Sequence, residues 1–164
     1  LKERENKFVK ILAQVKTKLY HCIVVKPNKP IIMKTEGITI NLMNEKSEEL
    51  FYNALCGADV LAGYGLSLRY EKEEYQEAKK ALSEKKETIC REDVWMQILK
   101  SGGTLTIVDH EGDDEEHTIT LKEVHERVQT VNIEYLMQAI NENGDGTTDD
   151  VILQTVFFNE VVFG

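Results

Sequence analysis

Apolar positions along the chain change period several times, and each change marks an element. Near the start, Phe8, Ile11, Leu12, Val15 and Leu19 recur at helical spacing while Lys7, Lys10, Gln14 and Lys18 take the other faces. That spacing predicts a basic amphipathic helix, with a short strand over 22–25 after it. Both prolines, Pro27 and Pro30, fall in the next few residues, where they forbid helix and mark a boundary. Beyond it, Ile38-Thr-Ile-Asn-Leu alternates like a strand, and 45–56 reads as a helix with Leu50, Phe51, Ala54 and Leu55 inward. Gly57, Gly63 and Gly65 break that helix. Residues 71–86 form a mostly polar helix whose thin stripe of Tyr75, Ala78 and Leu82 suits the surface. Residues 91–100 bury Val94, Trp95, Ile98 and Leu99 and stop at Gly102-Gly103, glycine being the usual helix terminator.

Period two is clearest at Thr104-Leu-Thr-Ile-Val and His117-Thr-Ile-Thr-Leu, on either side of a polar connection; the pattern is a β-hairpin. Helices follow over 122–129 and 133–141. A last helix begins after Thr147-Thr-Asp-Asp, where Thr147 can cap and Asp150 can sit in the first turn as in a capping box. The closing segment 151–163 is apolar nearly all round, so it belongs at the buried centre. The fold class is therefore α+β: a helix-rich single domain packed around a β-hairpin and one or two short strands, with an N-terminal basic amphipathic helix. Residues 1–25 are a basic helical arm, 26–37 a linker and 38–164 an acidic α+β domain. The segments 50–65 and 151–164 resemble one another, each an apolar helix closing on an aromatic-glycine pair; chance between two core helices is the preferred explanation.

Composition adds one asymmetry. The 164 residues carry a formal charge of −9, 41% of them hydrophobic and 30% charged, which is ordinary for one globular domain with a sizeable core. Between Leu1 and Lys34, however, nine Lys or Arg face two Glu, giving +7, and the remainder carries −16. Cys22, Cys56 and Cys90 are odd in number and never paired as Cys-x-x-Cys. They read as reduced, small buried hydrophobes of a reducing compartment. No apolar run is long enough for a bilayer, and the charged start lacks a secretory pattern, so the expected location is the cytoplasm.

Candidate chemistry is sparse. Asn141-Glu-Asn-Gly-Asp-Gly-Thr-Thr-Asp-Asp-Val-Ile reproduces the first half of an EF-hand loop, but Ile152 stands where the bidentate carboxylate belongs; a turn leading into a helix cap is the simpler reading. Asp109, His110 and His117 are the metal candidates, because strand pairing could bring two imidazoles and a carboxylate together. Neither fixed ligand spacing nor an apolar shell supports them, and a solvated turn is the alternative. His125 has only Glu123 and Glu126 to recommend it as a base. No nucleophile elbow, phosphate-binding glycine loop or zinc-protease motif is present, so neither catalytic residues nor a cofactor is expected. Glutamates over 71–87 alternate with lysines, which suits a salt-bridged solvated face better than mimicry of nucleic acid.

The basic arm is the partner candidate. Lys7, Lys10, Lys16 and Lys18 can clamp onto the chain's own acidic body, swap onto a neighbour or face an acidic partner. Self-association into a homo-oligomer or a protein partner follows; nucleic acid is disfavoured, because Phe8 and Tyr20 are the arm's only aromatics and single-strand binding needs interleaved aromatics.

From about Gly37 the chain resembles a family of small uncharacterised proteins encoded in bacterial phages, prophages and mobile elements. The resemblance rests on Ile38-Thr-Ile, on Gly102-Gly-Thr-Leu-Thr-Ile-Val-Asp with Thr118-Ile-Thr-Leu, and on the closing Asp150-Val-Ile-Leu-Gln-Thr-Val-Phe-Phe-Asn-Glu-Val-Val-Phe-Gly. Similar proteins have Ala-Asp where this chain has Asp149-Asp150, and glycine where it has Asn159. The resemblance implies a genetic context and no catalytic residue. It makes a non-enzymatic binding protein of a mobile element the expectation, for instance a counter-defence inhibitor acting by stoichiometric contact. The alternatives are a virion or assembly protein whose arm docks on a neighbouring acidic body, and a metal-dependent hydrolase.

Overall fold

The computed structural model describes residues 41–85, 88–110 and 115–164. The chain divides into two units, Leu1–Gly37 and Ile38–Gly164, and the described residues all belong to the second. The basic helix and the strand expected over 22–25 lie outside them. The second unit is helix-rich α+β: α1 (Asn44–Cys56), a 3-10 helix (Ala58–Tyr64), β1 (Leu66–Arg69), α2 (Lys72–Ser83), α3 (Arg91–Lys100), β2 (Leu105–Asp109), β3 (Glu115–Ile119), α4 (Leu121–Val128), α5 (Ile133–Ile140) and α6 (Gly146–Phe158).

The three strands form an antiparallel sheet in the order β1-β2-β3. Leu66 pairs with Asp109, and Ile107 pairs with both Leu68 and His117. Alternation along that register puts Leu66, Leu105, Ile107 and Ile119 on one buried face and Ser67, Arg69, Thr106, Glu116 and Thr118 on the other. On the outer face the Thr106 and Thr118 hydroxyls share a hydrogen bond of 2.8 Å, and Arg69 pairs with Glu116. The hairpin is where the pattern predicts it. Its partner strand comes from Leu66-Ser-Leu-Arg rather than from 38–42: Asn41 and Leu42 are not in a strand, and residues 38–40 lie outside the described set.

Helix α6 is the centre. Val151, Ile152, Leu153, Val156 and Phe157 are buried, and α1, α4, α5, the 3-10 helix and β3 all pack against it. Phe51 of α1 meets Phe157 at 6.1 Å between ring centroids. The cap at its N-terminus is Asp145 rather than Thr147: the Asp145 carboxylate accepts from the backbone N–H groups of Thr147 and Thr148 at 3.0 and 3.1 Å. An ionised oxygen outcompetes a hydroxyl for these orphan donors. Helix α4 does use the hydroxyl form, with Thr120 and Glu123 in a reciprocal capping box, and Glu123 is held below the usual carboxylate range by its bonds to Thr120.

The central helix ends five residues before the apolar run does. Arg127 of α4 donates to the carbonyls of Val156 and Phe157 at 2.8 and 3.2 Å, and Asn159 takes a left-handed φ of 62°. Asn tolerates that region better than most residues with a Cβ. Cys56 and Cys90, expected to be buried, are both exposed, because they stand at the ends of α1 and α3 rather than on their inward faces; Cys22 lies outside the described residues.

Two glycines that face open space distinguish a conformational requirement from a spatial one. Gly102 has a φ of +89° and Gly146 opens α6 without a positive φ, and a Cβ on either meets nothing within 4 Å. Gly102→Ala is expected to cost about 1 kcal/mol through left-handed strain, and Gly146→Ala to gain about 0.5 kcal/mol through helix propensity. Urea unfolding of the two variants checks both signs.

Candidate interaction surface at the C-terminal tail

A glutamine in the middle of an apolar helix needs partners wherever it is buried. Gln154 is fully buried, and all of its hydrogen-bonding capacity is used. Its Oε1 accepts from the backbone N–H groups of Val162 and Phe163 at 2.8 and 2.7 Å. Its Nε2 donates to the Phe163 carbonyl at 2.9 Å and to the Asp150 carboxylate at 2.9 Å. One side chain thus satisfies three main-chain groups of residues 159–164 and folds the tail back along its own helix.

Aromatic packing closes the other side. Tyr64 stacks on Phe163 at 5.0 Å, and Phe163 meets Phe158 edge to face at 5.9 Å. The Tyr64 hydroxyl donates to Asp150 at 3.0 Å, and that bond, with the carboxylate's charge, raises the phenol above its usual value. Asp150 is 7% exposed, and its second oxygen, Oδ1, is buried without a hydrogen-bond partner. The two segments whose endings resemble each other in sequence are thus in contact through those endings. The tail's outward side carries Val161 and Val162, which are 51% and 54% exposed. Two adjacent apolar side chains are thus presented to solvent on a backbone that Gln154 holds.

The hairpin residues do not converge. His110 follows β2 and shares a hydrogen bond of 2.8 Å with Ser67 on the outer face, while its backbone N–H donates to Gly65. His117 lies on the inner face, its ring edge-on to Phe158 at 4.6 Å, with Glu115 at 3.9 Å. The sheet therefore separates the two imidazoles, and Asp109 pairs across to Glu115 and Leu66. Among the described residues no three of His, Cys, Asp and Glu gather so as to hold a metal ion. In the stretch that resembles a calcium loop, Asp145 caps α6 and Ile152 is in the core. Lys7, Lys10, Lys16 and Lys18 lie outside the described residues. No helix among the described residues is long and apolar enough to cross a membrane.

A second polar cluster was not legible from local sequence, because its members come from three helices. Glu48 of α1 accepts from Lys100 of α3 at 2.8 Å and contacts His125 of α4 at 2.9 Å. Desolvation pushes the Glu48 carboxyl up, but the hydrogen bonds and charges of Lys100 and His125 together outweigh it and leave it below its ordinary 4.5. Beside it, Glu45, Glu49, Tyr52, Leu82, Asp93, Met96 and Gln97 line an open cleft of about 380 Å³.

No protein-family model, curated protein or solved structure matches this chain.

Two outcomes follow from these networks. Gln154→Leu strands the two tail N–H groups and is expected to cost about 2–3 kcal/mol, against about 1 kcal/mol for Tyr64→Phe, whose partner keeps one bond; urea unfolding at neutral pH measures both. A carboxyl depressed in the folded state contributes stability that is present above its unfolded value and lost as pH falls through its folded one. Native stability is therefore expected to drop below about pH 4.5, where Glu48 begins to lose its advantage, and Glu48→Gln to flatten that part of the curve in the same unfolding series.

Proposed function

We propose that this chain is a non-enzymatic binding protein of a phage or other mobile element, acting in the host cytoplasm by stoichiometric contact, as a counter-defence inhibitor does. The observation that carries the reading is the tail: Val161 and Val162 are more than half exposed on a backbone that a fully buried glutamine holds in place. A contact pair fixed before association avoids much of the ordering cost of binding. The same residues fall within the closing pattern that resembles mobile-element proteins, and that pattern has a physical reason here, since Asp150, Gln154 and Phe163 together make the lock. An acidic residue, Glu160, stands exposed beside the valines, which suits a partner surface with an apolar centre and a basic rim.

The test is native mass spectrometry of the full chain mixed with purified defence complexes and with signalling nucleotides. The expected result is a complex of fixed stoichiometry with one of these and no turned-over product, weakened at least tenfold by Val161→Asp with Val162→Asp. A wild-type chain that binds none of them, or a complex indifferent to both valines, contradicts the proposal.

Charge supports a second reading, assembly of copies. A segment of +7 and a remainder of −16 in one chain favour association of the arm bearing Lys7, Lys10, Lys16 and Lys18 with an acidic neighbour. That reading expects an oligomer that dissociates at high salt and is lost on deleting residues 1–30; an oligomer unchanged by both removes it. The hydrolase alternative needs His110 and His117 on one metal, and the opposite faces they occupy give it no support.

A further inference from the structure

We propose that Cys56 and Cys90 form an oxidant-responsive dithiol site, which closes to an intramolecular disulfide by exchange with a low-molecular-weight disulfide such as oxidised glutathione. Two contacts set the antiparallel register of α1 against α3. Glu48 meets Lys100 at 2.8 Å at one end, and Tyr52 donates to Asp93 at 3.3 Å in the middle. Cys56, the last residue of α1, and Cys90, the N-cap of α3, then fall opposite one another at the other end. Tyr52 touches both: its hydroxyl lies 3.4 Å from the Cys90 Sγ, and its carbonyl accepts from the Cys56 thiol at 3.5 Å. Both thiols are exposed, so a small disulfide reaches them. A bridge requires Cα atoms within about 7 Å of each other, so cross-linking of the native chain tests that approach directly.

The two thiols are not equivalent. Partial burial pushes the Cys56 thiol up, and the charges of Glu92, Cys90, Asp149 and Asp93 push it in the same direction. Cys90 is the N-cap of α3, and its sulfur lies at the surface beside the Tyr52 hydroxyl. Because its thiol is pushed up, Cys56 is assigned as the resolving sulfur and Cys90 as the attacking one. In the first exchange the Cys90 thiolate attacks one sulfur of oxidised glutathione, the glutathione S–S bond breaks, and one glutathione thiolate leaves. In the second the Cys56 thiolate attacks the Cys90 sulfur of the mixed disulfide and expels the other glutathione. The two protein thiols lose two electrons, which reduce glutathione disulfide to two thiols, and the two protons pass to those products.

The experiment treats the reduced full chain with oxidised glutathione and maps the products by intact and peptide mass spectrometry. The expected product has lost two hydrogens and yields a peptide carrying Cys56 joined to a peptide carrying Cys90. Cys22→Ser is expected to leave that cross-link unchanged, and Cys56→Ser to accumulate a persistent glutathione adduct on Cys90. A higher thermal midpoint of the oxidised wild type accompanies the bridge, since it constrains the unfolded chain. Separate glutathione adducts on Cys56 and Cys90 with no cross-link, a cross-link that requires Cys22, or an absence of reaction overturns the proposal.

Discussion

The structure depends on the need to enclose α6 on every side. A helix that is apolar nearly all round cannot leave a face to water, and nine of its thirteen residues are buried. Helices α1, α4 and α5, the 3-10 helix and the inner face of the sheet supply most of that enclosure. Its two ends are closed by charge, with Asp145 at the N-terminal amides and Arg127 at the C-terminal carbonyls. Both placements agree with the helix dipole.

Where neighbouring elements leave a gap, the chain covers α6 with its own tail. Left-handed Asn159 reverses the direction of the backbone, Phe163 packs against Tyr64 and Phe158, and Gln154 satisfies the main chain that this return would otherwise strand. Gln154 is buried because the tail covers it, and the tail stays because Gln154 holds it. The same return that brings Phe163 inward leaves Val161 and Val162 exposed. Asn159 takes the left-handed backbone at this turn, a region that asparagine adopts more readily than most residues with a Cβ.

Much of this was legible in the sequence where an element is long and its period clean. The hairpin, α1, α3 and the central helix follow from alternation or helical spacing, because burial of one face dictates both patterns. Strand β1 was not read, since Leu66-Ser-Leu-Arg offers only two apolar positions and its identity depends on pairing with β2; Gly65 before it, with a φ of 72°, was the available signal. The α6 cap was misplaced because Asp145 sits among several possible caps between Asn143 and Asp150, and local order cannot rank them. Gln154 looked like one polar residue in an apolar run. Its role depends on a chain reversal that only tertiary structure shows, as does the meeting of Glu48, Lys100 and His125 from three helices.

The partner reading and the dithiol reading use different parts of the same unit, one at the pinned tail and the other where α1 faces α3. Both treat side chains as fixed in position before any ligand arrives. For the tail that rigidity is the central claim, and amide hydrogen exchange of the native full chain tests it most directly. The account predicts that the N–H groups of Val162 and Phe163 exchange slowly, with protection approaching that of the α6 core amides. Exchange of those two amides at the rate of an unstructured peptide, with α6 itself protected, would contradict it.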